Sequence, residues 1–406
     1  MKKFLSLFLV LSVLLMAVCA VSADDDFKVG IILVHDENSG YDQAHIEGVQ
    51  GAAERLGLTA DQVIFKYNIP ESELCYDAAV DLAEQGCKLI ISDSYGHGGY
   101  MAQAADEYPD VNFIAATGDT AAESGLENLS NMFPSTYESR YVSGVVAGMK
   151  LKELMDAGTV TDPYIGYVGA YPYAEVVSGF TGFFLGVRSI VPDAHMDVQY
   201  TNSWYDPNAE AAAAEALMAR GCVIIGQHAD STGAPSAIQA AQDKGAVVFS
   251  VGYNIDMRPV APTAALTSAQ NCWVELYTPM IEMAMKGEKL PHDINAGYSK
   301  NGVQISDLGD SCAAGTQEAV DAAIAGIIDG TVNVFDTATF TINGEPMTVE
   351  FMTQYAADHP EAFPYSRAPE SLVDGIMFES ATDKLGLRSA PYFFYRIDGI
   401  TELTNE

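Results

Sequence analysis

The sequence predicts an α/β protein of two doubly wound parallel-sheet lobes. Three observations carry that expectation: unbroken apolar runs, helical stretches alternating with them, and a second block repeating the first. The runs are Val29-Gly-Ile-Ile-Leu-Val34, Lys88-Leu-Ile-Ile-Ser92, Asn112-Phe-Ile-Ala-Ala116, Tyr164-Ile-Gly-Tyr-Val168, Cys222-Val-Ile-Ile-Gly226 and Ala246-Val-Val-Phe-Ser250. Apolar runs of this length without polar alternation indicate parallel strands buried on both faces. Open parallel sheets take ligands in the crevice beyond the carboxyl ends of their strands. Here those ends carry Asp, Ser, His, Asn and aromatic residues but few cations, which suits a small, uncharged, aromatic ligand.

Residues 1–23 read as a secretion signal. Lys2 and Lys3 give the positive start, Phe4 to Val18 the apolar stretch, and Val21-Ser22-Ala23 the small-residue cleavage site. Cys19 offers lipid attachment as an alternative, but Val18 before it fits poorly, so cleavage after Ala23 is expected. The first lobe is expected over 27–135, with four strand–helix units whose helices lie near 43–56, 75–86, 98–107 and, after a gap, 137–155, and a return segment near 266–295. The second lobe is expected over 136–265, with helices near 174–190, 208–220 and 234–244 and a return segment near 296–330. Asp206-Pro207 is a good helix start, because Asp accepts the orphan N–H bonds and Pro fits the first turn. A strand near 264–268 and helices at 272–287 and 316–329 follow. Residues 331–406 read as strands and loops packed on one lobe, with an aromatic cluster at Tyr392-Phe-Phe-Tyr395.

A length of 406 residues allows two lobes with their own cores, and 49% hydrophobic with 18% charged residues describes a globular chain. The formal net charge of −35 argues against nucleic acid and anionic lipid as partners. Cys75, Cys87, Cys222, Cys272 and Cys312 form no C-x-x-C pair, so a zinc ribbon or dithiol motif is not expected. The seven His residues include no pair at metal-ligand spacing, and no cofactor motif appears.

The strand-end segments resemble the basic membrane protein family, purine-binding receptors of ABC importers, most closely its adenine-type subgroup. The segments are Ser39-Gly-Tyr-Asp-Gln-Ala-His45, Ser92-Asp-Ser-Tyr-Gly96, Pro172-Tyr-Ala-Glu-Val-Val177, Thr201-Asn-Ser-Trp-Tyr-Asp-Pro207 and Gln227-His-Ala-Asp-Ser-Thr-Gly233. The resemblance covers about 28–330. It implies the type I periplasmic-binding fold, with chain crossovers as a hinge and the ligand in the cleft. It also implies a monomer served by a permease and an ATPase. Two departures matter. The nucleoside branch carries D-x-S-F-N in the first loop, where this chain has Asp36-Glu-Asn-Ser-Gly-Tyr41, and a ribose-contacting Lys after the strand that here continues as Ser268-Ala-Gln-Asn-Cys-Trp273. The missing Lys shifts the expectation from nucleoside toward free base.

Tyr41 stands where the family places a ring stacked on the purine, a contact adding about 0.5–1.5 kcal/mol beyond burial. Ser94 can hydrogen-bond a ring nitrogen and Tyr95 can stack, whereas Gly96-His-Gly-Gly99 lacks the Lys-Ser/Thr of a phosphate loop. Trp204 is a stacking lid or a packing residue at the second lobe's edge. His228, Asp230 and Ser231 form the densest polar cluster and suit an exocyclic amine and ring nitrogens; helix capping is their bland alternative. Tyr253, Asp256 and Trp273 complete the candidates, Asp256 matching a ribose-binding Asp in the family.

An enzyme is not expected, because neither G-x-S-x-G nor H-E-x-x-H occurs. A sensory subunit feeding a signalling protein is the alternative use of the same fold, with a nucleoside-processing enzyme behind it.

Overall fold

The computed structural model describes residues 26–360, 372–378, 389 and 391–403. The signal segment and Cys19 lie outside them. In chain order the first half is β1 (Val29–Ile32), α1 (Gly40–Leu56), β2 (Val63–Lys66), α2 (Glu73–Glu84), β3 (Leu89–Ser92), α3 (Gly98–Glu107), β4 (Asn112–Ala116), α4 (Ala121–Ser124) and β5 (Leu129–Met132). Then come α5 (Thr136–Asp156), β6 (Tyr164–Gly169), α6 (Ala174–Ile190), β7 (His195–Tyr200), α7 (Pro207–Ala219), β8 (Ile224–His228), α8 (Gly233–Gln242), β9 (Phe249–Tyr253) and β10 (Ala265–Asn271). The chain finishes with α9 (Trp273–Met285), β11 (Asp293–Ile294), β12 (Val303–Ile305), α10 (Thr316–Asp329), α11 (Val349–Asp358), β13 (Leu372–Val373), β14 (Ile376–Met377) and β15 (Ile400–Leu403).

The strands form two large sheets, ordered β11-β5-β4-β3-β1-β2 and β12-β10-β9-β8-β6-β7-β15, and a two-stranded antiparallel sheet of β13 and β14. Within the large sheets every neighbouring pair is parallel except β10 with β12. Each large sheet is covered on both faces, as its apolar strands require. Local chemistry sets the helix starts: Ser39 and Ser72 accept N–H bonds at α1 and α2, and Asp206 accepts from Asn208 and Ala209 at α7, ahead of Pro207.

The chain passes between the sheets around 133–136, 271–273 and 295–303. Those crossings are tied together by Ser135 Oγ to Asn295 Oδ1 at 3.0 Å, Thr136 Oγ1 to Asn271 Oδ1 at 2.8 Å and Asn295 Nδ2 to Phe133 O at 2.7 Å. Residues 265–271 are a strand of the second sheet, so the return to the first begins with α9, later than 266. The tail is more than strands and loops. It contains α11, capped by Thr348, and its last strand β15 extends the second sheet along β7. Tyr392, Phe393 and Tyr395 are fully buried, with Phe393 stacked on Phe335 at 4.4 Å. The five cysteines from Cys75 onward are unpaired, and no described helix is long and apolar enough to cross a membrane.

Candidate functional site

A cavity lies between the carboxyl ends of the two large sheets. Val34, Tyr41, Asp93, Ser94, Tyr95 and Thr117 line it from the first lobe, and Glu175, Trp204, His228, Asp230 and Tyr253 from the second. The lobes meet at its rim, where Gly40 N donates to Asp230 O at 2.8 Å and the rings of Tyr95 and Tyr173 lie 6.1 Å apart.

The Ser39 cap starts α1 so that Tyr41 turns inward in its first turn. The Tyr41 hydroxyl donates to Asp93 O at 2.8 Å, fixing the ring at the end of β3. Behind it, Trp273 meets the Tyr41 ring edge-on at 6.1 Å and stacks on His45 at 3.8 Å. Burial pushes His45 down to about 3, leaving a neutral ring. Asp93 is buried beside Asp42, and the two carboxyls hydrogen-bond each other. Burial and then the Asp42 charge push Asp93 well above the carboxylate range. Burial opposes charge on Asp42 too, but bonds from His35, Ser39 and Asp93 hold it below its usual value. The pair therefore shares one proton, residing on Asp93. Ser94 Oγ donates to Glu71 at 2.6 Å. Thr117 sits in the wall at φ 56°, a left-handed conformation costing a β-branched residue about 1–3 kcal/mol.

In the second lobe, β8 carries His228 to the cavity floor, 1% exposed, with Nε2 3.3 Å from Glu175 Oε1. Burial, then the charge of Arg140, drives His228 well below the usual histidine range. Burial pushes Glu175 up to about 8 against the opposing pull of Arg140. Asp230 accepts from Asn254 Nδ2 at 2.9 Å and is pushed well upward by burial and then by Asp42, Glu210 and Glu175. Its N–H donates to Trp204 O at 2.8 Å, placing the indole, which packs against Tyr171 and Tyr173. No Lys or Arg side chain lines the cavity among the described residues.

The structure thus brings Tyr41, Ser94, Tyr95, Trp204, His228, Asp230 and Tyr253 to one cavity. Ser231, Asp256 and Trp273 fall elsewhere. Ser231 closes the turn into α8: its N–H donates to Glu210 and its Oγ accepts from Gly233 N. Asp256 is held outside by Arg258, which donates to both its oxygens. Trp273 forms the layer behind Tyr41. Sequence reasoning missed Val34, Asp93, Thr117 and Glu175. Asp93 and Glu175 lie inside segments it singled out, so their position at strand ends was the available signal.

Two doubly wound lobes around a cavity at their strand ends define a solute-binding protein. Residues 31–336 match the family described as Bmp, ABC transporter substrate-binding protein PnrA-like, and the chain belongs to that family. It is 34% identical over 288 residues to a purine-binding protein of Brucella abortus, covering 71% of this chain and 77% of that one. It is 27% identical over 316 residues to a Haloferax volcanii protein provisionally named a glucose-binding protein of an ABC transporter, covering 78% and 75%. A solved ABC transporter solute-binding protein from Aeropyrum pernix K1 matches with a TM-score of 0.66 over 83% of this chain and 98% of that one. At 16% identity this is a likeness of fold.

Proposed function

We propose that the protein is the extracytoplasmic, monomeric receptor of an ABC importer and captures a purine base, adenine-like, in the interlobe cavity. Closure of the lobes on the base would then present it to a permease driven by an ATPase. One observation carries the reading: ring faces and carboxyl groups from both lobes converge on one cavity that no cation among the described residues lines. A flat heterocycle with an exocyclic amine and ring nitrogens offers matching faces, donors and acceptors. The family's ribose-contacting pair supports a base over a nucleoside: its Lys is absent and Asp256 is engaged by Arg258. The relative named as purine-binding supports the ligand class.

Calorimetric titration of refolded, ligand-free protein with adenine, adenosine, guanosine and glucose tests this. Adenine should bind most tightly. Tighter adenosine would restore the nucleoside, glucose binding would favour the sugar reading that the Haloferax volcanii relative's name suggests, and silence from both purine forms would sink the purine assignment.

A further inference from the structure

Taking the purine reading of the cavity as given, we infer that Glu175 meets its ligand as a neutral carboxylic acid. Its Oε2 donates a hydrogen bond to an unprotonated ring nitrogen, while His228 holds Oε1 from behind. Glu175 lies in the first turn of α6 with its side chain 12% exposed and faces the cavity. Its Oε1 is 3.3 Å from His228 Nε2. On the other side of the imidazole, a Cβ on Gly179 would stand 2.6 Å from His228 Nδ1 and 3.6 Å from Arg140 Nε, so the guanidinium borders the Nδ1 side.

Arg140 is 1% exposed, donates from Nη1 to Gln227 O at 2.6 Å and lies 3.7 Å from the Tyr253 ring centroid. A permanent cation there repels a proton at Nδ1. A neutral imidazole then carries its one ring proton on Nε2 and donates to Oε1. With Oε1 fixed as acceptor, the carboxyl proton sits on Oε2, which takes no bond from a described residue.

Other groups around the carboxyl agree. His228 faces it from β8, Arg140 from α5, Tyr41 from α1, Tyr253 from β9, Asp230 from the loop after β8 and Glu71 from across the cleft. Arg140 and the positive end of α6 favour a charge on Glu175. Burial outweighs them, and the like charge of Glu71 adds to it, giving a value of about 8. Below that pH Glu175 already holds the proton the contact needs. Above it a proton must be taken up on binding, so affinity falls by roughly tenfold per pH unit.

The test is calorimetric titration with adenine from about pH 7 to about pH 9.5, in buffers of different ionisation enthalpy. Wild-type affinity should hold to about pH 8 and then fall, with proton uptake on the alkaline side. Glu175→Ala should weaken binding at least about tenfold. Glu175→Gln, whose amide offers both a donor and an acceptor, should recover most of that loss and lack the alkaline fall. A wild-type affinity that stays flat or climbs, or a Gln variant no better than Ala, overturns the assignment while adenine binding stands. Nitrogen-15 NMR of the wild type needs no variant: the expected His228 signal has Nε2 protonated and Nδ1 bare, and the reverse tautomer overturns the contact. If adenine binds the wild type at no pH, the purine reading fails and this contact fails with it.

Discussion

Tyr41 and Asp230 wall the cavity from opposite lobes, so each removes a different half of the site. Tyr41→Ala deletes a ring face, and Asp230→Ala deletes a carboxyl while leaving the backbone bond from Gly40 N to Asp230 O available. Each should weaken purine binding at least about tenfold, near 1.4 kcal/mol, by calorimetry. Unchanged affinity in both would place the ligand elsewhere. These residues were legible because polar and aromatic side chains directly after buried strands have few structural reasons to be there. Asp93 and Glu175 were harder. A carboxyl looks like a solvated surface group until tertiary packing brings Asp42 against one and burial against the other. Sequence also cannot tell a ring in the wall from a ring behind it, which is how Trp273 entered the candidates. Asp256 carried a readable warning, since Arg258 two residues on was poised to take its carboxylate.

At the scale of elements, the closest packing joins α5 to α6, and glycine permits it. A Cβ on Gly144 would stand 2.0 Å from Phe183 O, and one on Gly186 2.0 Å from Tyr141 O. Gly144→Ala should force the helices apart and cost about 1–3 kcal/mol, seen as a lower urea midpoint. Because α5 also carries Arg140 and begins at a crossing, the variant should weaken ligand binding as well, whereas Gly57→Ala, at a solvent-facing helix end with φ 73°, should disturb stability alone. The expected helices lie within a few residues of the observed ones because caps and Pro207 mark their starts, whereas the short α4, and α11 in the tail, went unread. Strands were readable only where apolar runs were unbroken. β5 (Leu-Ser-Asn-Met) and β7 (His-Met-Asp-Val-Gln-Tyr) carry polar residues that their neighbours cover. β8 and β9 run two to three residues past their expected ends, because polar Gln227, His228 and Tyr253 continue the strands into the site.

For the molecule as a whole, buried acids and surface charge push stability in the same direction with pH, and salt separates them. Burial raises Glu138 and Glu210 to about 7 and Glu175 to about 8, from an ordinary 4.5. An acid whose folded value is raised keeps its proton while the unfolded chain loses it, so stability is full below about 4.5 and declines as pH climbs toward about 8. The net charge of −35 adds self-repulsion that also grows as carboxyls ionise. Surface repulsion is screened in about 1 M salt, where the Debye length is about 3 Å; the cost of ionising a buried acid is not. Buried His45 and His228 stay neutral while the unfolded chain's imidazoles take up protons below about 6.5, which lowers stability there, so the acids are read above that range. The unfolding temperature should therefore be higher near pH 6.5 than near pH 8, and part of that gap should survive high salt. A gap that vanishes in salt would assign the whole effect to the surface. An unfolding temperature that climbs from about pH 6.5 to about pH 8, above the range of the buried histidines, would mean that Glu138, Glu175 and Glu210 are ionised in the folded protein, and the neutral cavity floor would go with them.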